Sequence, residues 1–208
     1  MTELRVGLIA DGSSDRCLLR LLTWSLRQSW PGVRLAEPVF DLHLGGLDEE
    51  RLEQFRSRHR VGLLFVHRDA ENATIEDRKA EIPTGLDAIV PVIPTRMTEA
   101  WLLIDERAIR VASGNPNGTM PLVIPPVKRL EDVSDPKSIL RTALVEASGL
   151  AGPRRRSQFR RDLSSRIHRV AAEIQDYSVL RELRAFRAFE RDLEYALTSL
   201  RGESDAPR

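Results

Sequence analysis

The chain has little cysteine, little lysine and no long apolar run. Its single cysteine, Cys17, excludes an internal disulfide and any cysteine-rich zinc site, which agrees with a reducing compartment. No stretch approaches the roughly 18 uninterrupted apolar residues of a membrane span. The start, Met1-Thr2-Glu3-Leu4-Arg5, lacks the basic-then-apolar order of a secretion signal. The expectation is a cytoplasmic protein that does not engage a membrane. A net charge of +1 also excludes a polycation, although 30% charged residues, with arginine far ahead of lysine, allow strong local patches.

With 208 residues and 41% hydrophobic content, the chain can bury one sizeable core, or one core plus a small helical appendage. Apolar segments at 4–10, 39–44, 61–67 and 88–93 read as strands. Helical spacing recurs between them, in 14–28 and 47–59, with Ser13 or Ser14 the natural cap of the first helix. Strand, helix, strand, helix, strand predicts an α/β fold, a mostly parallel Rossmann-like sheet sandwiched by helices. Pro91 cannot donate a ladder hydrogen bond, which puts the fourth strand at an edge or a bulge. A helix capped by Thr98 follows, then an excursion from Gly114 to Pro126 with four prolines, then a helix begun by Pro136. Gly149 to Pro153 marks the expected boundary between a domain of residues 1–150 and a basic helical extension, 151–208, packed on it. Two antiparallel helices are expected there, on the spacing of Phe159 to Ile174 and of Leu180 to Leu197. Gly202 to Arg208 reads as a frayed tail.

Four constellations could carry chemistry. Asp11-Gly12-Ser13-Ser14-Asp15 joins the first strand to its helix; the plain alternative is an ordinary turn and cap. It lacks the Gly-Lys-Ser/Thr ending of a P-loop and the three-glycine spacing of a dinucleotide site. Asp69-Ala70-Glu71 ends the third strand, and two acids one residue apart can point to one side of an extended segment. In a parallel sheet Asp11 and Asp69 leave different strands at the same carboxyl edge, where ligands bind. Hard carboxylate oxygens without cysteine favour Mg²⁺ or Mn²⁺ over zinc. Glu99, in Thr98-Glu99-Ala100-Trp101, follows another strand end and could join them, although an acid in a first helical turn is also good capping. Arg154, Arg155, Arg156, Arg160 and Arg161, followed by Arg166 and Arg169, face one aspartate, Asp162, within sixteen residues. That field could neutralise a phosphate backbone, or it could be a solvated helix face. Phe159 and Ile167 face the core, so aromatic stacking of bases is not indicated there. His43, His59 and His168 read as isolated surface or core residues.

The order of these motifs resembles the TOPRIM domain of topoisomerases, primases and OLD-type nucleases, and above all the small bacterial TOPRIM-like families. Their Glu-Gly followed by a polar helix start looks like Asp11-Gly12-Ser13-Ser14-Asp15; their Asp-x-Asp looks like Asp69-Ala70-Glu71. The Glu-x-Trp-Leu of the small families looks like Glu99-Ala100-Trp101-Leu102. The resemblance covers residues 4 to 105, with aspartate at position 11 where the family usually has glutamate. It implies a TOPRIM-like sheet and a nuclease that hydrolyses DNA or RNA with Mg²⁺ or Mn²⁺, in phage defence beside a protein partner. Asp11, Asp69, Glu71 and Glu99 would then hold metal, and Asp11, Asp69 and Glu71 would be catalytic. The arginines would hold nucleic acid, DNA first. The alternatives are a binding subunit that keeps the fold without the chemistry, and a phosphohydrolase acting on nucleotides.

Overall fold

Four short apolar segments form one all-parallel sheet: Val6–Ala10 (β1), Val39–Leu42 (β2), Leu63–His67 (β3) and Ile89–Val92 (β4). The computed structural model describes residues 3–43, 46–83 and 85–204; the readings made at Met1-Thr2, at Leu44-Gly45 and beyond 204 lie outside the described residues. Strand order is β2-β1-β3-β4. Every residue of β1 and β3 is buried, as the centre of a helix-covered sheet requires. Pro91, opposite Val66, sits on β4 at the edge, where its missing N–H is tolerated.

The helices are Leu18–Ser29 (α1), Glu49–His59 (α2), Ile75–Ala80 (α3), Glu106–Ala112 (α4), Pro136–Ala147 (α5), Pro153–Arg161 (α6), Leu163–Glu173 (α7) and Arg184–Ser204 (α8). The chain divides into two compact units, one running to Thr95 and resuming at Arg184, the other Arg96–Leu183. Position 150 therefore lies inside the second unit, and α8 belongs with the sheet. Gly202, expected in a frayed tail, lies in α8.

In the first unit a Cβ on Gly7 would lie 2.7 Å from the Phe55 ring, so α2 rests directly on β1 and only glycine fits there without displacement. Phe65 of β3 packs on Phe189 of α8 with ring centroids 6.2 Å apart. Leu8 and Phe65 are in register while Gly7 alternates to the other side, so α2 and α8 cover opposite faces. Leu18, Leu21, Leu22 and Leu26 of α1 are almost wholly buried. Each such side chain contributes about 1.5–3 kcal/mol of transfer free energy. The helix expected from 14 to 28 begins instead as a 3₁₀ turn, Ser13–Cys17.

In the second unit Thr98 does not cap an α-helix. Thr98–Leu102 is a 3₁₀ turn, and the cap belongs to Asp105, whose carboxylate accepts from the N–H of Ala108 at the start of α4. Asp105 fits the cap because its backbone is extended and its short carboxylate reaches the orphan N–H groups of the first turn. Pro136 opens α5 as expected, beside the Asp135 cap. No regular element occupies Gly114 to Pro126. Among the described residues no helix is long and apolar enough to cross a membrane.

A candidate site at the switch point of the sheet

From β1 the chain runs to β2 on one side and then to β3 on the other, so the connections diverge at the carboxyl ends of β1 and β3. In open α/β sheets this divergence leaves the crevice in which ligands bind. The residues that follow those two ends are Asp11 and Arg68-Asp69.

Their placement follows from the backbone. His43 N–H donates to the Ala10 carbonyl at 3.0 Å, carrying the β1–β2 pairing one residue past β2 and setting the His43 ring against Asp11. Beyond β3, Arg68 N–H donates to Val92 O and Ala70 N–H to Pro94 O, so 68–70 continues the ladder. The N–H of Asp69 then donates to Asp11 Oδ2 at 3.2 Å. Two carboxylate residues 58 positions apart are thereby neighbours.

A second layer lies beneath. Gly12 N–H donates to Asp15 Oδ2 at 2.9 Å, and Asp15 N–H returns to Gly12 O at 3.1 Å. Gly12, not Ser13 or Ser14, is thus the residue from which the turn starts. Asp15 is buried, and its Oδ2 lies 3.6 Å from Nδ1 of His67. The other ring nitrogen, Nε2, is 3.2 Å from Asp69 Oδ1. His67 has no exposed surface. Burial alone would lower its pKa, but the hydrogen bond to Asp69 and the charges of Asp69, Asp15 and Asp11 outweigh that, and the pKa is raised above 6.5. His67 thus lies between two carboxylates, in hydrogen-bond contact with Asp69 and in charge contact with Asp15.

The exposed layer is an alternating chain of charges. Arg68 Nε lies 3.1 Å from Asp11 Oδ1, at an angle that makes it a charge contact and not a hydrogen bond. Its Nη1 is 2.8 Å from Glu81, whose other oxygen is 2.9 Å from Arg78; Arg78 in turn lies 3.5 Å from Glu71. The expectation that Asp69 and Glu71 point to one side of an extended segment fails at Glu71, where φ is +52°. Alternation holds only in extended backbone, and Glu71 sits in the left-handed turn that ends the ladder. Glu99 belongs to the second unit, where it is buried and lies 3.3 Å from Nζ of Lys137.

Among the described residues, no three or more His, Cys, Asp or Glu side chains gather as a metal-binding group. Asp11 and Asp69 alone are nonetheless suitable donors for Mg²⁺ or Mn²⁺, since Mg²⁺ is commonly held by one or two carboxylates and keeps several waters. Sequence reasoning missed His43, Arg68 and Glu81 as members of the site, and gave no partners to Asp15, which it held within the first motif, or to His67. A histidine closing an otherwise apolar strand was the readable signal, because a polar residue in a central strand needs partners.

The arginine-rich stretch is a separate feature of the second unit. Arg154, Arg155, Arg156, Arg160 and Arg161 are all exposed on α6, while Phe159 is buried. Ile167 of α7 is buried as expected. Arg166 turns inward, its guanidinium 3.9 Å from the Phe159 ring centroid and its Nη1 donating to Ala112 O at 2.8 Å. In comparisons with family models, curated proteins and solved structures, nothing matches this chain.

Proposed function

We propose that the chain is a divalent-cation-dependent phosphodiesterase acting on nucleic acid, with Asp11 and Asp69 as its cation-holding pair. The observation that carries the reading is the hydrogen bond from Asp69 N–H to Asp11 Oδ2, which joins the two acids at the divergence of β1 and β3. The TOPRIM resemblance of the two motifs adds the reaction class. Mg²⁺ or Mn²⁺ held there would supply Lewis acidity toward a phosphoryl oxygen. The rest of the work falls to this chain's own side chains. His67, fixed between Asp15 and Asp69, holds the Asp69 carboxylate in one orientation. Arg68 presents a guanidinium beside Asp11, a group whose planar fork suits phosphate oxygens. Separately, in the second unit, the exposed arginines of α6 offer a field that neutralises phosphate.

A second reading, a binding module without the chemistry, is favoured by the engagement of Asp11 with Arg68 and His43 and of Asp69 with His67. One experiment separates the two. The first reading expects cleavage of DNA or RNA that needs Mg²⁺ or Mn²⁺, stops with EDTA, and falls roughly 100-fold or more in Asp69→Asn. It also expects the cation to raise the unfolding midpoint, since a ligand at 100 times its Kd stabilises the native state by about 2.7 kcal/mol. No cleavage and no shift would leave the binding module; cleavage that survives EDTA would exclude the cation.

A further inference from the structure

At the amino-terminal edge of the sheet, opposite the acids, the first unit contains a cleft of about 470 Å³. It lies where Leu4-Arg5 enter β1, Gly62 enters β3 and Trp30 closes α1. The volume is within the usual range of small-molecule sites. Three arginines line it, Arg5, Arg34 and Arg60, against one acid, Glu3. Beside the cleft, and not among its lining residues, Arg201 holds its guanidinium 5.1 Å from the ring centroid of Trp30 and donates to Ser29 O at 2.6 Å. Arg5 donates to His59 O through Nη1, while its buried Nε has no hydrogen-bond partner among the described residues. Trp30 and Val33 give the cleft an apolar, aromatic wall. Arg34 and Arg60 are exposed and so are free to meet an anion.

We infer that this cleft binds a nucleoside 5′-monophosphate group, its base against Trp30 and its phosphate toward Arg34 and Arg60. The combination of one aromatic wall with arginines at the mouth matches a ligand that has a flat ring at one end and a dianion at the other. Guanidinium forks suit phosphate, and an indole face suits any base. The same chemistry is offered by a free mononucleotide and by the 5′-phosphorylated end of a strand. The inference stands apart from the acid pair at the carboxyl edge and does not require it.

The test is calorimetric titration of the full chain with adenosine 5′-monophosphate, adenosine, inorganic phosphate and a 5′-phosphorylated oligonucleotide. Adenosine 5′-monophosphate is expected to bind, and adenosine and phosphate to bind at least about tenfold more weakly, because each offers half of the recognised group. Arg34→Glu and Arg60→Gly should each weaken it about tenfold. Both positions are exposed, and Arg60 has φ +53°, where glycine is unstrained, so these variants should fold. Trp30→Leu should weaken binding about fivefold or more, the worth of stacking one base. Asp69→Asn should leave binding unchanged, which separates this cleft from the acid pair. Equal affinity for the oligonucleotide would identify a strand end as the ligand, and preference for the mononucleotide a free nucleotide; both support the site. The inference fails if adenosine 5′-monophosphate gives no heat at millimolar concentration. It fails equally if both arginine variants bind like the parent, or if Asp69→Asn abolishes binding.

Discussion

At the carboxyl edge of the sheet Arg68 and Arg78 lie among carboxylates, each within 3.5 Å of two acids. On α6, by contrast, Arg154, Arg155, Arg160 and Arg161 face solvent, and among the described residues none has an ion-pair partner. The same side chain thus does two jobs in one protein. In the first place the positive charge is matched inside the molecule, and its effect is to hold Asp11, Glu81 and Glu71 in position. In the second, with five arginines and no acid within α6, the charge remains available to something outside. Local charge density in a sequence reports the second situation well. The first it hides where the matching acid is distant in the chain, as Asp11 is from Arg68.

The largest effect that would test this contrast is expected at His67. Replacing it with Asn removes the ring that stands between Asp15 and Asp69, and breaking a buried pair costs about 3–5 kcal/mol. Denaturant unfolding of His67→Asn should show a loss of that order; a loss below about 1 kcal/mol would mean that the bridge is not charged. The complementary change on α6, Arg160→Glu with Arg161→Glu, should leave stability within about 0.5 kcal/mol. Its effect should fall instead on nucleic-acid binding, lowering the slope of log affinity against log salt by about 2. An unchanged slope would return α6 to a solvated helix face.

The smallest effect expected is a pH trend. The folded pKa of His67 is raised above its ordinary 6.5, so the stability it contributes is fully present below about pH 6.5 and is lost as pH rises through the folded value. The unfolding midpoint of the parent chain, measured relative to His67→Asn, should therefore narrow from pH 6 towards about pH 9. The α6 arginines stay charged throughout that range, so the Arg160→Glu, Arg161→Glu pair should show no such narrowing. A gap that widens with pH would mean that His67 is held neutral.

Much of the fold was legible from period and punctuation. Strands β1 and β3 were visible as short apolar runs, and Pro91 pointed to the edge position of its strand. Pro136 at the start of α5 and the irregular stretch from Gly114 to Pro126 were equally local signals. Thr98 misled because a cap requires an extended residue followed by a true helix, and the 3₁₀ turn Thr98–Leu102 delays that helix, moving its cap seven residues on to Asp105. The return of α8 to the sheet unit was not legible, since an amphipathic stripe shows that a helix has a buried face and is silent about which surface covers it. The pairing of Asp11 with Asp69 could be expected from parallel topology alone. Glu71 could not be placed, because its positive φ depends on the loop closing back through Ala73 onto Ala70.

The sequence by itself determined the elements and their parallel order, along with the two acids that leave neighbouring strand ends. Those depend on periodicity, on turn residues and on the direction in which a βαβ unit must run. Only the tertiary structure decided what each charge faces. It set Arg68 and His43 on Asp11 and His67 between Asp15 and Asp69, gathered the arginines of the opposite edge around Trp30, and left those of α6 in solvent. The physical reason is one of range. Backbone preference acts over a few residues, whereas an ion pair or a cleft acts over a few ångströms between residues that can be 58 positions apart.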